Sequence, residues 1–169
     1  MRVNSKVLGL SLVLGAASWA LTGVSFAATA TATAHEHGHE HGHAETDQAL
    51  SLQDGQRWAT DAPLRKAMGT INTALGQSLA AIHEDRLSEA QYVQLAELVR
   101  GQVAYMVEHC KLPSEADAQL HLIIARLLAG ADGMAATGPA QRQGAITLVG
   151  ALNDYPRFFA DPEFTPLKH

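Results

Sequence analysis

The sequence of 169 residues has little of several residue types, and each shortage excludes a class of protein. It holds a single cysteine, which excludes a disulfide framework and any all-cysteine zinc or iron–sulfur site. Only 12 basic residues stand against 17 acidic ones, and no segment carries the basic excess that nucleic-acid binding requires. Charged residues make up 17% of the chain and apolar residues 47%, which is too apolar for a disordered chain and predicts a folded domain.

Nucleophile and phosphate-binding motifs are also missing. The chain contains no G-x-S-x-G nucleophile elbow and no phosphate-binding P-loop. Ser114 lacks a histidine and an aspartate at a spacing that suits a catalytic triad. We therefore expect no enzymatic activity.

The N-terminus has the layout of a secretory signal peptide. Arg2 and Lys6 precede an apolar stretch at 7–21, and Ser25 and Ala27 supply small residues at the −3 and −1 positions of a cleavage site. An uncleaved anchor is the alternative, but the stretch is shorter than the ~20 residues of a membrane span. No second run of that length follows, so we expect cleavage after Ala27, export without a membrane span, and a periplasmic location in a Gram-negative bacterium.

A histidine repeat follows an Ala/Thr tether at 28–34. Residues 35–43 read HEHGHEHGH, two copies of His-Glu-His-Gly and a final histidine. An extended segment places all five imidazoles on one side, and a helix groups three of them at i, i+4 spacing. Either geometry presents two or three imidazoles to one cation. The predicted ligands are His35, His37, His39, His41 and His43.

Imidazole suits Zn(II), Cu(II) and Ni(II), so the repeat predicts binding of copper, zinc or nickel without selecting among them. Because the ligands must be deprotonated, binding should weaken as the pH falls through about 6.5. The alternatives are a solvated, pH-sensitive linker and a purification tag. A tag fits poorly, because the repeat carries Glu and Gly and follows a natural-looking signal peptide.

From residue 50 onward, apolar residues recur with the 3.6 period of helices. Thr60 or Asp61 is the predicted cap of the first helix, Ser88 of the second and Ser114 of the third, and Pro139 opens the fourth. The apolar stripes run from Leu64 to Ile82, Tyr92 to Cys110, Leu120 to Met134 and Ala145 to Tyr155. Pro156 is expected to stop or kink the fourth helix. Leu52 and Trp58 are expected to cover the core from a short strap.

Four helices with short loops predict an all-α fold, an up-down-up-down four-helix bundle. The predicted organisation is a signal peptide at 1–27, a disordered His-rich arm at 28–49, and the bundle with its C-terminal tail at 50–169.

Four side chains of the bundle are candidate metal ligands. Thiolate and thioether donors select Cu(I), and helices two and three meet at a short loop, so a copper cluster is predicted there. Asp117 stands four residues before one histidine of the cluster, as an orienting carboxylate or a surface ion pair. The other interpretation is a core methionine, an inert buried cysteine and histidines at helix ends. The candidates are Met106, His109, Cys110 and His121. His83 is expected at the opposite pole.

Residues 64–75, LRKAMGTINTAL, resemble the first helix of the soluble periplasmic haem-b four-helix cytochromes. In that family a methionine of helix one and a histidine of helix four bind the haem iron, and Met68 matches the methionine. The fourth predicted helix here contains no histidine, and the chain has no C-x-x-C-H sequence. The resemblance implies the fold and leaves haem binding as a second alternative function.

Most of the mature chain is similar to a group of small exported bacterial proteins of unassigned function. The likeness lies in a WATD-PLR…M start at 58–68, an HCKL…AD…LH block at 109–121 and a GALN-Y segment at 150–155. It implies an exported helical domain and singles out the histidines and the cysteine of the central block. Transition-metal binding is therefore the expected function, with a metal-independent helical adaptor or chaperone-like module, which binds a periplasmic protein partner, as the first alternative.

Overall fold

A computed structural model describes residues 49–168 of the chain. The predicted signal peptide, the five histidines of the repeat and nearly all of the predicted arm lie outside the described residues. Helices make up 71% of the described part. The elements are β1 (Trp58–Ala59), α1 (Ala62–His83), α2 (Glu89–His109), α3 (Ser114–Ala135), α4 (Pro139–Phe158) and β2 (Phe159–Ala160).

The four helices pack as a bundle, which confirms the predicted fold class. Consecutive helices pack against each other, and α4 also packs against α1. The connections at 84–88, 110–113 and 136–138 are so short that consecutive helices run antiparallel. One end of the bundle therefore holds the α1–α2 and α3–α4 turns. The other end holds the start of α1, the α2–α3 turn and the end of α4.

The predicted apolar stripes form the core. Every predicted stripe residue of α1, α3 and α4 is buried, whereas Leu95 and Cys110 of the α2 stripe are half-buried. The largest fully buried side chains include Met68, Met106, Leu127, Leu148, Tyr155 and Phe159. The bundle thus has one continuous hydrophobic core, as the helical period predicts.

Two of the three predicted side-chain caps are present. Asp61 caps α1, and its Oδ1 accepts a hydrogen bond from the Leu64 N–H at 2.9 Å. Ser88 and Gln91 form the predicted capping box of α2. The predicted Ser114 cap is wrong, because α3 already includes Ser114 and its N-cap position is Pro113, without a side-chain hydrogen bond.

The turn after α1 contains a strained residue. Asp85 has φ of 53°, a left-handed conformation that usually favours glycine. It follows the end of α1, where the Arg86 N–H donates to the Ala81 carbonyl at 2.8 Å and the Asp85 N–H to the Ile82 carbonyl at 3.3 Å. These two bonds satisfy the last carbonyls of the helix in a Schellman motif.

A glycine contact brings α3 and α4 close together. A Cβ atom added at Gly133 would lie 2.7 Å from the Gly144 Cα atom, which real structures do not allow. A Cβ at Gly144 would collide in turn with the backbone of Gly130. The two helix backbones therefore meet without side chains between them, near the start of α4.

The segments on either side of the bundle pair with each other. β1 and β2 form a two-residue parallel ladder, which no local sequence pattern predicts. Trp58 is buried as expected, but the prediction for Leu52 is wrong, because its side chain is 41% exposed. The α4 helix continues through Pro156 to Phe158, and Phe159 then packs beneath it in the core.

Candidate functional site

A cleft between α2 and α3 brings together three of the four bundle residues predicted as metal ligands. The α2 helix ends at His109, since Cys110 adopts an extended conformation with ψ of 141°. Its four-residue connection returns α3 alongside the end of α2. The resulting α2–α3 cleft has a volume of about 410 Å³. Its polar or sulfur-containing lining residues are Met106, Cys110, Lys111, Asp117 and His121.

Cys110 carries a protonated thiol in this cleft. Burial raises its pKa, and the neighbouring carboxylates of Asp61 and Asp117 raise it further, to about 12. The thiol also donates a hydrogen bond to the Asp61 carboxylate, which stabilises the protonated form. Because metal ions bind the thiolate, a cation at Cys110 must first displace this proton.

Asp61 links three parts of the chain at this end of the bundle. One carboxylate oxygen caps α1, and the other accepts the Lys111 N–H at 2.7 Å. The thiol of Cys110 is its third partner. The sequence predicts only the cap, because the contacts to residues 110 and 111 join positions about 50 residues apart along the chain.

His121 is oriented for a ligand on its second nitrogen. Its Nδ1 atom lies 2.9 Å from the Asp117 carbonyl oxygen and 3.5 Å from an Asp117 carboxylate oxygen. Since both neighbours are acceptors, Nδ1 carries the proton, and in the neutral ring Nε2 holds the free lone pair. The contact has the i, i+4 spacing of the sequence and fits both an orienting carboxylate and a surface ion pair. The His121 side chain is exposed, so solutes reach it freely.

His109 does not line the α2–α3 cleft. Its ring stacks on Tyr105 with a centroid distance of 4.3 Å, and its Nδ1 donates to the Tyr105 carbonyl at 3.0 Å. The ammonium of Lys66 lies 4.9 Å from the Tyr105 ring centroid. The His109 ring therefore packs on Tyr105 of its own helix, and Lys66 of α1 lies against the same tyrosine.

Within residues 49–168, no three His, Cys, Asp or Glu side chains are grouped closely enough to hold a metal ion. Met106 is fully buried, and Cys110, Asp117 and His121 line the same cleft without forming such a group. Met68, the residue matched to the haem-ligating methionine, is likewise fully buried in the core.

The opposite end of the bundle has a second cleft, which sequence reasoning missed. It lies between the α1–α2 turn and the start of α4, with a volume of about 770 Å³. We name it the Tyr92 cleft, and its polar lining includes His83, Asp85, Tyr92, Gln141 and Arg142. His83 thus lies at the opposite end from Cys110.

Tyr92 is the distinctive residue of this cleft. It is only 4% exposed, and among residues 49–168 its hydroxyl has no hydrogen-bond partner. Burial and the charge of Asp85 raise its pKa, and Arg142 opposes that rise. Tyr92 belongs to the predicted apolar stripe of α2, where a tyrosine in place of a phenylalanine is the only signal of a polar role.

The comparisons with protein-family models, curated proteins and solved structures give no match to this chain. Of the helices in the described part, none is long and apolar enough to cross a membrane.

Proposed function

We propose that this chain is an exported transition-metal-binding protein whose histidine repeat captures copper, zinc or nickel. The observation that carries the proposal is the repeat at residues 35–43, in which every second residue is a histidine. The same residues spell H-E-x-x-H twice, at 35–39 and 39–43. That spacing supports paired imidazole ligands at i, i+4, and we assign it no hydrolytic role.

The α2–α3 cleft supports a secondary role for the bundle. A cation there would meet the oriented imidazole of His121 and the negative charges of Asp61 and Asp117. It would also compete with the proton on Cys110, whose raised pKa weakens thiolate binding at neutral pH. The proposal therefore assigns capture of the metal to the repeat, and a weaker contact to the cleft.

Export and a periplasmic location belong to the same proposal. They rest on the signal-peptide layout of residues 1–27. Removal of that segment leaves 10 basic and 17 acidic residues, a net charge of −7. An acidic protein disfavours anionic membrane surfaces and attracts cations.

A metal-independent partner-binding module is the second candidate. The observation that favours it is the lack of any three-residue metal-ligand group within residues 49–168. On this account the helices bind a periplasmic protein, and the repeat is incidental.

A calorimetric titration separates the two candidates. Zn(II), Cu(II) and Ni(II) are added in turn to the whole mature chain and to a variant with all five repeat histidines changed to Gln. We expect the variant to lose the tight binding phase. A matched Glu36→Gln/Glu40→Gln variant keeps it, because the imidazoles remain.

Two further arms complete the test. A Cys110→Ser/His121→Gln variant should retain the tight phase, and lowering the pH from 7.5 to 5.5 should weaken it in the wild type. Equal binding by the wild type and the five-histidine variant, or no binding by either, would contradict the proposal.

A further inference from the structure

The Tyr92 cleft continues into an apolar groove. A cavity of about 240 Å³ lies between α1 and α4 and shares His83, Arg142 and Ile146 with the cleft. Its remaining lining is aliphatic, from Leu79, Ile82, Ala145 and Val149. Ile146 is 46% exposed at the junction. The polar Tyr92 cleft and the apolar groove therefore adjoin at His83, Arg142 and Ile146.

The Tyr92 hydroxyl provides a polar group for a ligand in the cleft. Buried hydroxyls in folded proteins nearly always have a hydrogen-bond partner. This one has none within residues 49–168, although the nearby Gln141 side chain donates to the Met134 carbonyl at 3.2 Å. Tyr92 lines the cleft, and its buried hydroxyl is left unpaired within residues 49–168, so it is available to donate to an acceptor atom on a bound molecule.

Arg142 supplies a positive charge beside that hydroxyl. Its Nε donates to the Ile82 carbonyl at 3.4 Å, which anchors the guanidinium at the end of α1. It forms no ion pair with any described residue, whereas Arg100 and Arg126 each pair with an aspartate. Arg142 and Tyr92 line the same cleft, and the Arg142 charge opposes the burial-driven rise in the pKa of the Tyr92 hydroxyl.

We propose that the Tyr92 cleft binds a monoanionic amphiphile, a carboxylate with a short hydrocarbon tail. The carboxylate accepts hydrogen bonds from the Tyr92 hydroxyl and the Arg142 guanidinium, and the tail lies in the groove beside Leu79 and Val149. The carboxylate of Asp85 lines the same cleft, and its negative charge disfavours a multiply charged anion. This site is independent of the histidine repeat.

Octanoate is the probe for the test, added to the whole ¹⁵N-labelled mature chain below its critical micelle concentration. We expect saturable amide shifts confined to residues 79–92 and 138–149. Octyl glucoside has the same tail without the charge and should bind at least about tenfold more weakly. Arg142→Gln should weaken octanoate binding by a similar factor, while Arg126→Gln, the matched control on α3, should leave it unchanged.

Two conservative variants test the geometry. Tyr92→Phe should weaken octanoate binding about threefold or more, with a thermal unfolding midpoint at or above that of the wild type. Asp85→Asn should strengthen binding about twofold. Shifts that do not saturate or lie elsewhere, equal binding of octyl glucoside, or octanoate affinity unaffected by Arg142→Gln would each overturn the proposal.

Discussion

The two ends of the bundle differ in whether a buried tyrosine hydroxyl is paired. One end of the bundle holds the start of α1, the α2–α3 turn and the end of α4, and we call it the Asp61 end. Asp161 is 6% exposed there and accepts hydrogen bonds from the Tyr155 hydroxyl and the Glu163 N–H, both at 3.1 Å. Asp61 there accepts from two backbone N–H groups and a thiol. The opposite end, which holds the Tyr92 cleft, is the Tyr92 end. The Tyr92 hydroxyl is also buried, but it has no hydrogen-bond partner within the described part.

This difference separates a structural use of polar groups from a binding use. A paired buried network fixes how segments distant in sequence meet, as Asp161 does for the tail and Asp61 for the α2–α3 turn. An unpaired buried group instead costs about 1–3 kcal/mol of stability, and such a cost is typical of sites that bind another molecule. Both ends are built on the same helices, so the contrast depends on a few side chains.

The same substitution at both ends should give opposite results. Tyr155→Phe removes a donor from a buried carboxylate, and the free energy of unfolding should fall by about 1.5–3 kcal/mol. Tyr92→Phe removes an unpaired hydroxyl and should leave that free energy unchanged or raise it by about 1 kcal/mol. Urea unfolding of both variants measures the difference. A loss of similar size at both positions would remove the contrast between the ends.

The close contact of α3 and α4 positions the Tyr92 end, and a single added Cβ atom should disrupt this contact. Gly144→Ala forces a methyl group against the backbone of α3, so stability should fall by about 1–3 kcal/mol. Gly150→Ala on the same helix meets open space and should raise stability by up to about 1 kcal/mol. Thermal unfolding compares the two variants, and equal effects would show that the backbones do not meet there.

The protein should lose stability in alkali because of Tyr155 at the Asp61 end. Burial and then the Asp161 carboxylate raise the pKa of Tyr155, so the fold favours its protonated form. The protonated Tyr155 hydroxyl contributes its full share of the free energy of unfolding below pH 10.0, the pKa of tyrosine in the unfolded chain. This share is lost as the pH rises above 10.0 toward the higher pKa of the folded state. Unfolding measured from pH 9 to 11 should show a falling stability in the wild type and a shallower fall in Tyr155→Phe. Parallel curves would count against this account.

The smallest expected effect lies in the turn that borders the Tyr92 cleft. Asp85→Gly relieves a left-handed backbone conformation and should raise the free energy of unfolding by about 1 kcal/mol or less. The matched change at the exposed Asp132, within α3, should lower it by a similar amount or slightly more, because glycine is a poor helix former and the ion pair with Arg100 is lost. Chemical denaturation of the two variants provides the check. A destabilised Asp85→Gly protein would mean that the carboxylate matters more than the backbone strain.

The helices and most of their caps could be predicted, because their signals are local. The Ser88–Gln91 capping box and the stripe from Leu64 to Ile82 depend on residues within a few turns of each other. The pairing of Trp58 with Phe159 could not be predicted, since about 100 residues separate them and two-residue strands leave no pattern.

The candidate sites show the same limit. The helix period correctly places Met106 and Cys110 on one face, and the short turn brings His121 to the same cleft. It does not reveal that the His109 ring stacks on Tyr105 away from that cleft, because that depends on rotamers at a helix end. Nor does it show that the Tyr92 hydroxyl is unpaired, because that depends on side chains from the α1–α2 turn and from the start of α4.

The most direct test of the proposed function is an elemental analysis of the mature protein, purified without a tag from its native compartment in metal-replete cells. We expect about one or more equivalents of copper, zinc or nickel per chain. Deletion of residues 35–43 should remove most of it. A wild-type protein that is free of these metals, or a deletion variant that retains them in full, would contradict capture by the histidine repeat.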